Sequence, residues 1–364
     1  MLVGGLACLV GISGVARPFG GGAESPRGGA RPSLVRAAES RGRAQVATGS
    51  SWPFARTGSA AGLRAKASIV GGEAASIASF PFQVALYDPR AGSPAAGFFC
   101  GGVILDATHV VTAAHCVTSA GQSESAADVE VLAGSTSLTA SEPTSVRDPV
   151  ASSTFDSHYN PITSDYDIAL LTLARPLWSG TTPSIDGVDP IAPLPLEPED
   201  SSGTANPDRS PAILATSSGW GDVNPSPGHL ASYPTDLRSV HLPLVSDPVC
   251  EEQYATIEQT ITPRMICAGG GRSRVDTCYG DSGGPLVVDG GRPPHPPYDY
   301  VLAGLVDFGN GCAQPGYAGV YTRIANPQIM SFLSSGIGHA IGPVGTLAKH
   351  RKHKKRKRHS HKAH

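Results

Sequence analysis

Lysine is missing from residues 69 to 340, a stretch with ten arginines against twenty-eight aspartates and glutamates, for a net charge of −18 with histidine neutral. Acidity on that scale favours solubility and sets up a field that attracts basic molecules. Beyond the first sixteen residues there is no run of eighteen or more apolar residues, which argues against a helical membrane span in the remainder. Close Cys-x-x-Cys pairs are also missing, so the seven cysteines lack the spacing of a zinc site. Residues 17 to 68 have few large apolar side chains and are rich in Gly, Ala, Arg, Pro and Ser. That composition has little to bury and reads as a flexible propeptide.

Other segments have a positive signature. Leu2 to Ala16 is apolar, with many small residues, and ends in Gly14-Val15-Ala16, the pattern of the hydrophobic core and cleavage end of a signal peptide. Its basic start is absent, which an initiation codon further upstream would explain. Residues 1–16 are read as this leader, 17–68 as the propeptide, 69–340 as the folded body and 341–364 as a basic tail. From Lys349 to His364 the tail holds six lysines, three arginines and five histidines, or +9 with histidine neutral. Such a block repels itself and stays unfolded. Two uses are open: a solvated end lying against the acidic body, or attachment to an anionic cell wall, membrane surface or nucleic acid.

Chemistry concentrates in Asp276-Thr277-Cys278-Tyr279-Gly280-Asp281-Ser282-Gly283-Gly284-Pro285, where an alcohol, two carboxylates and three glycines fall within ten residues. A serine hydroxyl is a poor nucleophile at neutral pH unless a neighbouring base takes its proton. Thr112-Ala113-Ala114-His115-Cys116 offers that base, and Asp165-Tyr166-Asp167-Ile168-Ala169-Leu170-Leu171 offers a carboxylate at the head of an apolar strand. In the order His, Asp, Ser, these segments resemble the trypsin-like branch of the chymotrypsin family of serine proteases.

The resemblance implies an all-β fold of two packed six-stranded antiparallel β-barrels with a short C-terminal helix. It makes Ser282 the nucleophile, His115 the base that takes and later returns the proton, and Asp167 the carboxylate that orients the ring. Backbone N–H groups of Gly280 and Ser282 become the oxyanion hole, where glycines allow a sharp turn and close approach of the donors. Asp276 becomes the floor of the primary specificity pocket and selects Arg or Lys, with Gly309 and Gly319 leaving room for a long side chain. Ser68-Ile69-Val70-Gly71-Gly72 matches the activation site, so that the freed ammonium of Ile69 pairs with Asp281 and orders the oxyanion loop. Cys8 lies in the leader, and the remaining six cysteines pair by resemblance as Cys100–Cys116, Cys250–Cys267 and Cys278–Cys312, implying an oxidising compartment.

Two departures keep a second reading open, that of a catalytically silent binding protein on the same scaffold. Ser68 stands where such zymogens carry Lys or Arg, so activation requires a protease of another preference, or trimming after a cut at Arg64 or Lys66. In Val306-Asp307-Phe308-Gly309, Asp307 replaces a serine that in relatives bonds the triad aspartate. It either approaches that carboxylate, turns outward or meets a basic group of the substrate.

Strands are expected at residues 82–86, 103–105, 168–173, 285–288 and 301–306 from alternating or continuous apolar runs. Ile329, Phe332, Leu333 and Ile337 at helical spacing indicate a helix over 327–337. Gly219-Trp220-Gly221 and Gly319-Val320-Tyr321 also match the family, so the resemblance covers the whole body. Glu142 and Asp148 are too sparse to suggest calcium in the region 134–150, and no metal or cofactor is expected. The expected partners are protein or peptide substrates with Arg or Lys at the cleavage site and an activating protease. The expected form is a secreted, extracellular monomer.

Overall fold

Strands that are apolar on both faces must have a core on each side. The computed structural model describes residues 69–338 apart from 120–121, 184–193, 195, 197–212, 225–230, 271–274 and 290–299. The leader, propeptide and basic tail read from the sequence lie outside the described residues.

The first closed barrel contains β1 (Gln83–Tyr87), β2 (Phe98–Ile104), β3 (His109–Thr112), β4 (Glu130–Ala133), β5 (Val146–Phe155) and β6 (Ala169–Leu173). Neighbours run β1-β2-β3-β6-β5-β4, and β4 pairs back with β1. The second contains β7 (Leu214–Gly219), β8 (Arg238–Val245), β9 (Met265–Ala268), β10 (Pro285–Asp289), β11 (Tyr300–Phe308) and β12 (Gly319–Arg323). Its neighbours run β7-β8-β9-β12-β11-β10, and β10 pairs back with β7. One connectivity is thus used twice, all antiparallel, and each ring of six strands closes on itself, with the two-residue strand Glu73–Ala74 added beside β8.

Burial follows the two-residue period of a strand. Val84 and Leu86 of β1, and Ala169, Leu171 and Leu173 of β6, fill barrel one. Ala85 and Leu170 face the other way, into a cluster shared with Trp220, Val287 and Leu305 of the second half. In β10, Leu286 and Val288 fill barrel two while Val287 joins the shared cluster. Between two cores these strands are mostly apolar on both faces. β5 differs: Asp148 and Val150 are buried, whereas Arg147, Pro149 and Ala151 are exposed, and it carries no apolar run.

Helix α1 (Asp247–Ala255) buries Cys250 and Tyr254, one turn apart, and the Cys250–Cys267 disulfide ties it to β9. Helix α2 (Pro327–Ile337) starts where Asn326 caps the N–H groups of Gln328 and Ile329, has proline in its first turn, and ends at Gly338 with φ +75°. Its Ile329 and Leu333 enter the shared cluster. Among the described residues, no helix is long and apolar enough to cross a membrane.

A polar clamp crosses the seam between the barrels. Arg264, next to β9, donates to both oxygens of Asp165, each at 2.7 Å, and the Thr262 hydroxyl adds a third bond at 2.7 Å. The same guanidinium lies 4.6 Å from the centre of the Tyr166 ring. Burial would raise the pKa of Asp165, but the Arg264 and Thr262 hydrogen bonds outweigh it and hold the carboxyl below the usual range. Because both side chains are less than a fifth exposed, Arg264→Met leaves a largely buried anion without its cation. We expect a loss of about 3 kcal/mol and a Tm lower by about 5 to 10 °C, measured by scanning calorimetry.

Candidate active site

His115 lies in one short helical turn, Ala114–Cys116, entered almost directly from β3 and tied to β2 by the Cys100–Cys116 disulfide. Asp167, just ahead of β6, is 1% exposed. Its Oδ1 accepts the His115 backbone N–H at 2.8 Å, and its Oδ2 lies 2.6 Å from His115 Nδ1. A carboxylate at that distance keeps the hydrogen on Nδ1, leaving Nε2 free to accept a proton. From barrel two, the Thr322 hydroxyl donates to the Asp167 carbonyl at 2.7 Å.

The electrostatics of the pair are cooperative. Burial works against a charged imidazole, yet the charge and hydrogen bond of Asp167 outweigh it and raise the pKa of His115. Burial likewise works against an ionised Asp167, and the His115 charge and hydrogen bonds hold it below the usual carboxylate range. A ring held this way can take a proton and stabilise the cation that results.

Ser282 sits on a loop of barrel two that is locked onto barrel one. The Gly101 N–H donates to the Ser282 carbonyl at 2.8 Å, and the Gly283 N–H donates to the Val306 carbonyl at 2.8 Å. Gly283 adopts φ +73°, and a Cβ there would lie 2.1 Å from Thr112 Oγ1 and 2.9 Å from the Ala113 nitrogen. The serine loop therefore packs against the two residues that lead into the histidine turn. Gly280 takes φ +93° two residues before Ser282.

Beside Ser282 opens a cavity lined by Asp276, Val306, Phe308, Gly309, Gly319 and the Cys278–Cys312 disulfide. Asp276 is 3% exposed; its Oδ2 accepts the Ala313 N–H at 2.9 Å, while its Oδ1 has no hydrogen-bond partner. Burial pushes its pKa up to about 7. At Gly319 a Cβ would come within 2.8 Å of Asp276 Oδ1, so only glycine keeps that oxygen accessible.

Asp281 is fully enclosed, accepting the Gly221 N–H at 2.8 Å and the Cys278 N–H at 2.9 Å, and burial pushes its pKa up to about 7. Ile69 is buried in the core of barrel two with Val240, Leu242 and Leu286, and the Val70 carbonyl accepts the Asp276 N–H at 3.1 Å. Asp307 is buried in β11 within 4.8 Å of Asp167 and His115, so it does not turn outward.

Two groups among the described residues stand close enough to share an ion: Cys100, His115 and Cys116, and His115, Asp167 and Asp307, where the ring Nδ1 is already bonded to Asp167. Cys100 and Cys116 lie close to His115, but their sulfurs are joined to each other. Glu142 Oε1 instead accepts the Thr136 and Ser137 N–H groups and closes a turn. Sequence reading missed the Arg264–Asp165 clamp and the left-handed backbone of Ser164 and Tyr166, φ +57° and +58°, beside Asp167. Arg264 and Asp165 are 99 residues apart, so no local pattern could have joined them.

Paired β-barrels with a carboxylate–imidazole pair and a serine loop at their seam define the two-barrel class of serine hydrolases. Residues 69–330 match the profile of the trypsin family. Kallikrein-14 of Homo sapiens is 35% identical over 257 residues, covering 70% of this chain and 80% of that protein. A trypsin of Saccharopolyspora erythraea is 34% identical over 257 residues, covering 70% of this chain and 93% of that protein. Trypsin 5G1 of Aedes aegypti is 34% identical over 271 residues, covering 72% and 84%. The chain belongs to the trypsin family and is a serine endopeptidase.

Gly283→Ala combines an unfavourable backbone angle with a clash into Thr112. It is expected to destabilise the protein by about 2 to 5 kcal/mol in denaturant unfolding. Wild-type stability would mean that the loop can leave barrel one freely.

Proposed function

We propose that this protein is a secreted endopeptidase that cuts after Arg or Lys by an acyl-enzyme mechanism and is activated by cleavage before Ile69. In this reading Ser282 attacks the scissile carbonyl while His115 Nε2 takes its proton, and Asp167 orients the ring and stabilises the imidazolium. The imidazolium then protonates the leaving amine, and water repeats the cycle on the acyl-enzyme. N–H groups of Gly280 and Ser282 stabilise the developing oxyanion.

The observation that carries the specificity is Asp276 Oδ1, buried without a partner in the wall of the cavity beside Ser282. A guanidinium or ammonium entering that cavity completes its hydrogen bonding, whereas an apolar side chain leaves the carboxyl unpaired. Activation rests on the same logic. Asp281 has two N–H donors and no cation among its described partners, and the freed ammonium of Ile69 is the cation proposed to meet it. Three disulfides in the described body support an oxidising, extracellular setting. The intact His115–Asp167 bond favours turnover over a silent scaffold.

The reading is tested by activating the full chain, sequencing its new amino terminus, labelling it with an organophosphonate and profiling a peptide library. Expected are an amino terminus at Ile69, label on Ser282 and cleavage after Arg and Lys that Asp276→Ser abolishes. An unlabelled Ser282 or an unchanged cleavage pattern in the variant overturns it.

The raised pKa of Asp276 adds a pH signature. Only the ionised carboxyl pairs with a cation, so below about pH 7 binding must first expel a proton. Benzamidine affinity for the activated protein is expected to fall about tenfold from pH 8 to pH 6, with proton uptake by the buffer in titration calorimetry.

A further inference from the structure

Asp307 is a buried acid that the mechanism above does not use. It is 6% exposed, and neither of its oxygens receives a hydrogen bond among the described residues. One of those oxygens lies within 4.8 Å of ligand atoms of both Asp167 and His115. From the loop before Asp167, the Ser164 side chain approaches without completing a hydrogen bond. The other titratable groups facing it are Asp165, already neutralised by Arg264, and the phenols of Tyr159 and Tyr254.

Two bare carboxylates cannot share such a place. With His115 neutral, Asp167 and Asp307 would form a buried dianion with no cation of its own. One proton between them removes a charge and turns an acceptor–acceptor contact into a donor–acceptor one. Asymmetry decides which acid keeps the proton: Asp167 already takes two bonds from His115, and Asp307 takes none.

We propose, resting on the triad reading above, that Asp307 is a positioning residue which stays protonated through turnover and donates a hydrogen bond to Asp167. The proton never enters the chemistry; it fixes the carboxylate that fixes the imidazole. Burial first, and then repulsion from Asp167, push the pKa of Asp307 well above the usual range, while that of Asp167 is held below it. At alkaline pH Asp307 loses this proton, and its donor becomes a repelling anion that releases Asp167.

The test compares kcat and KM against pH for activated wild type, Asp307→Asn and Asp307→Ala. The amide donates without titrating, so Asp307→Asn is expected within about threefold of wild-type kcat at neutral pH and without the alkaline fall. Asp307→Ala loses the donor and is expected to lose about tenfold or more in kcat with little change in KM. In wild type, the low-field proton resonance of His115 Nδ1–H should titrate together with the alkaline fall, and in Asp307→Asn it should not. Superimposable pH profiles for wild type and Asp307→Asn overturn the proposal, as does wild-type kcat in Asp307→Ala. A pH-invariant resonance in wild type overturns it even if the variants do not fold. Failure of wild type to take the phosphonate label sinks the triad reading instead, whereas a labelled enzyme with superimposable profiles sinks only the role of Asp307.

Discussion

Asp167 is buried at the seam of two barrels, with His115 on one side and the Thr322 hydroxyl on its carbonyl. A carboxylate removed from water remains an anion only when hydrogen bonds and a positive partner replace its hydration. That requirement links the architecture to the site. The histidine turn must lie against the Asp167 loop, so the Cys100–Cys116 disulfide and β3 hold it there. The Asp167 loop takes left-handed backbone at Ser164 and Tyr166, and the Arg264 clamp holds it from the other barrel. Strain of this kind persists only where surrounding contacts over-determine it.

Three further buried carboxylates extend the pattern. Asp276, Asp281 and Asp307 all have raised pKa values, with burial as the leading cause in each. Their missing partners differ in the proposed reading: a substrate cation for Asp276, a new amino terminus for Asp281, and a retained proton for Asp307. In that reading the site stores incomplete electrostatic pairs, each completed by a separate proposed event: binding, activation or orientation.

The strands most legible in the sequence were those with a core on both sides. β1, β6, β10 and β11 carry apolar runs because one face fills a barrel and the other joins the shared cluster. β5 was not legible, since one of its faces is wet, and neither were short strands such as β4 and β9. Helix α1 also escaped notice, as its buried face is little more than Cys250 and Tyr254. Helix α2 was visible from the spacing of Ile329 and Leu333, and its cap at Asn326 matches the start expected there.

By itself the sequence determined the kinds of chemistry available: a serine among glycines, an imidazole beside a cysteine, a carboxylate at a strand head, and the class of protein that uses them in that order. Those signals are local, since turn geometry, strand period and residue type act over a few positions. Only the tertiary structure decided that Asp307 faces inward onto Asp167, that Arg264 holds the loop from the opposite barrel, and that Asp276 Oδ1 is left without a partner. Each of these is a matter of burial and of contact between distant segments, and desolvation, which acts on every acid in the site, has no existence until the barrels close.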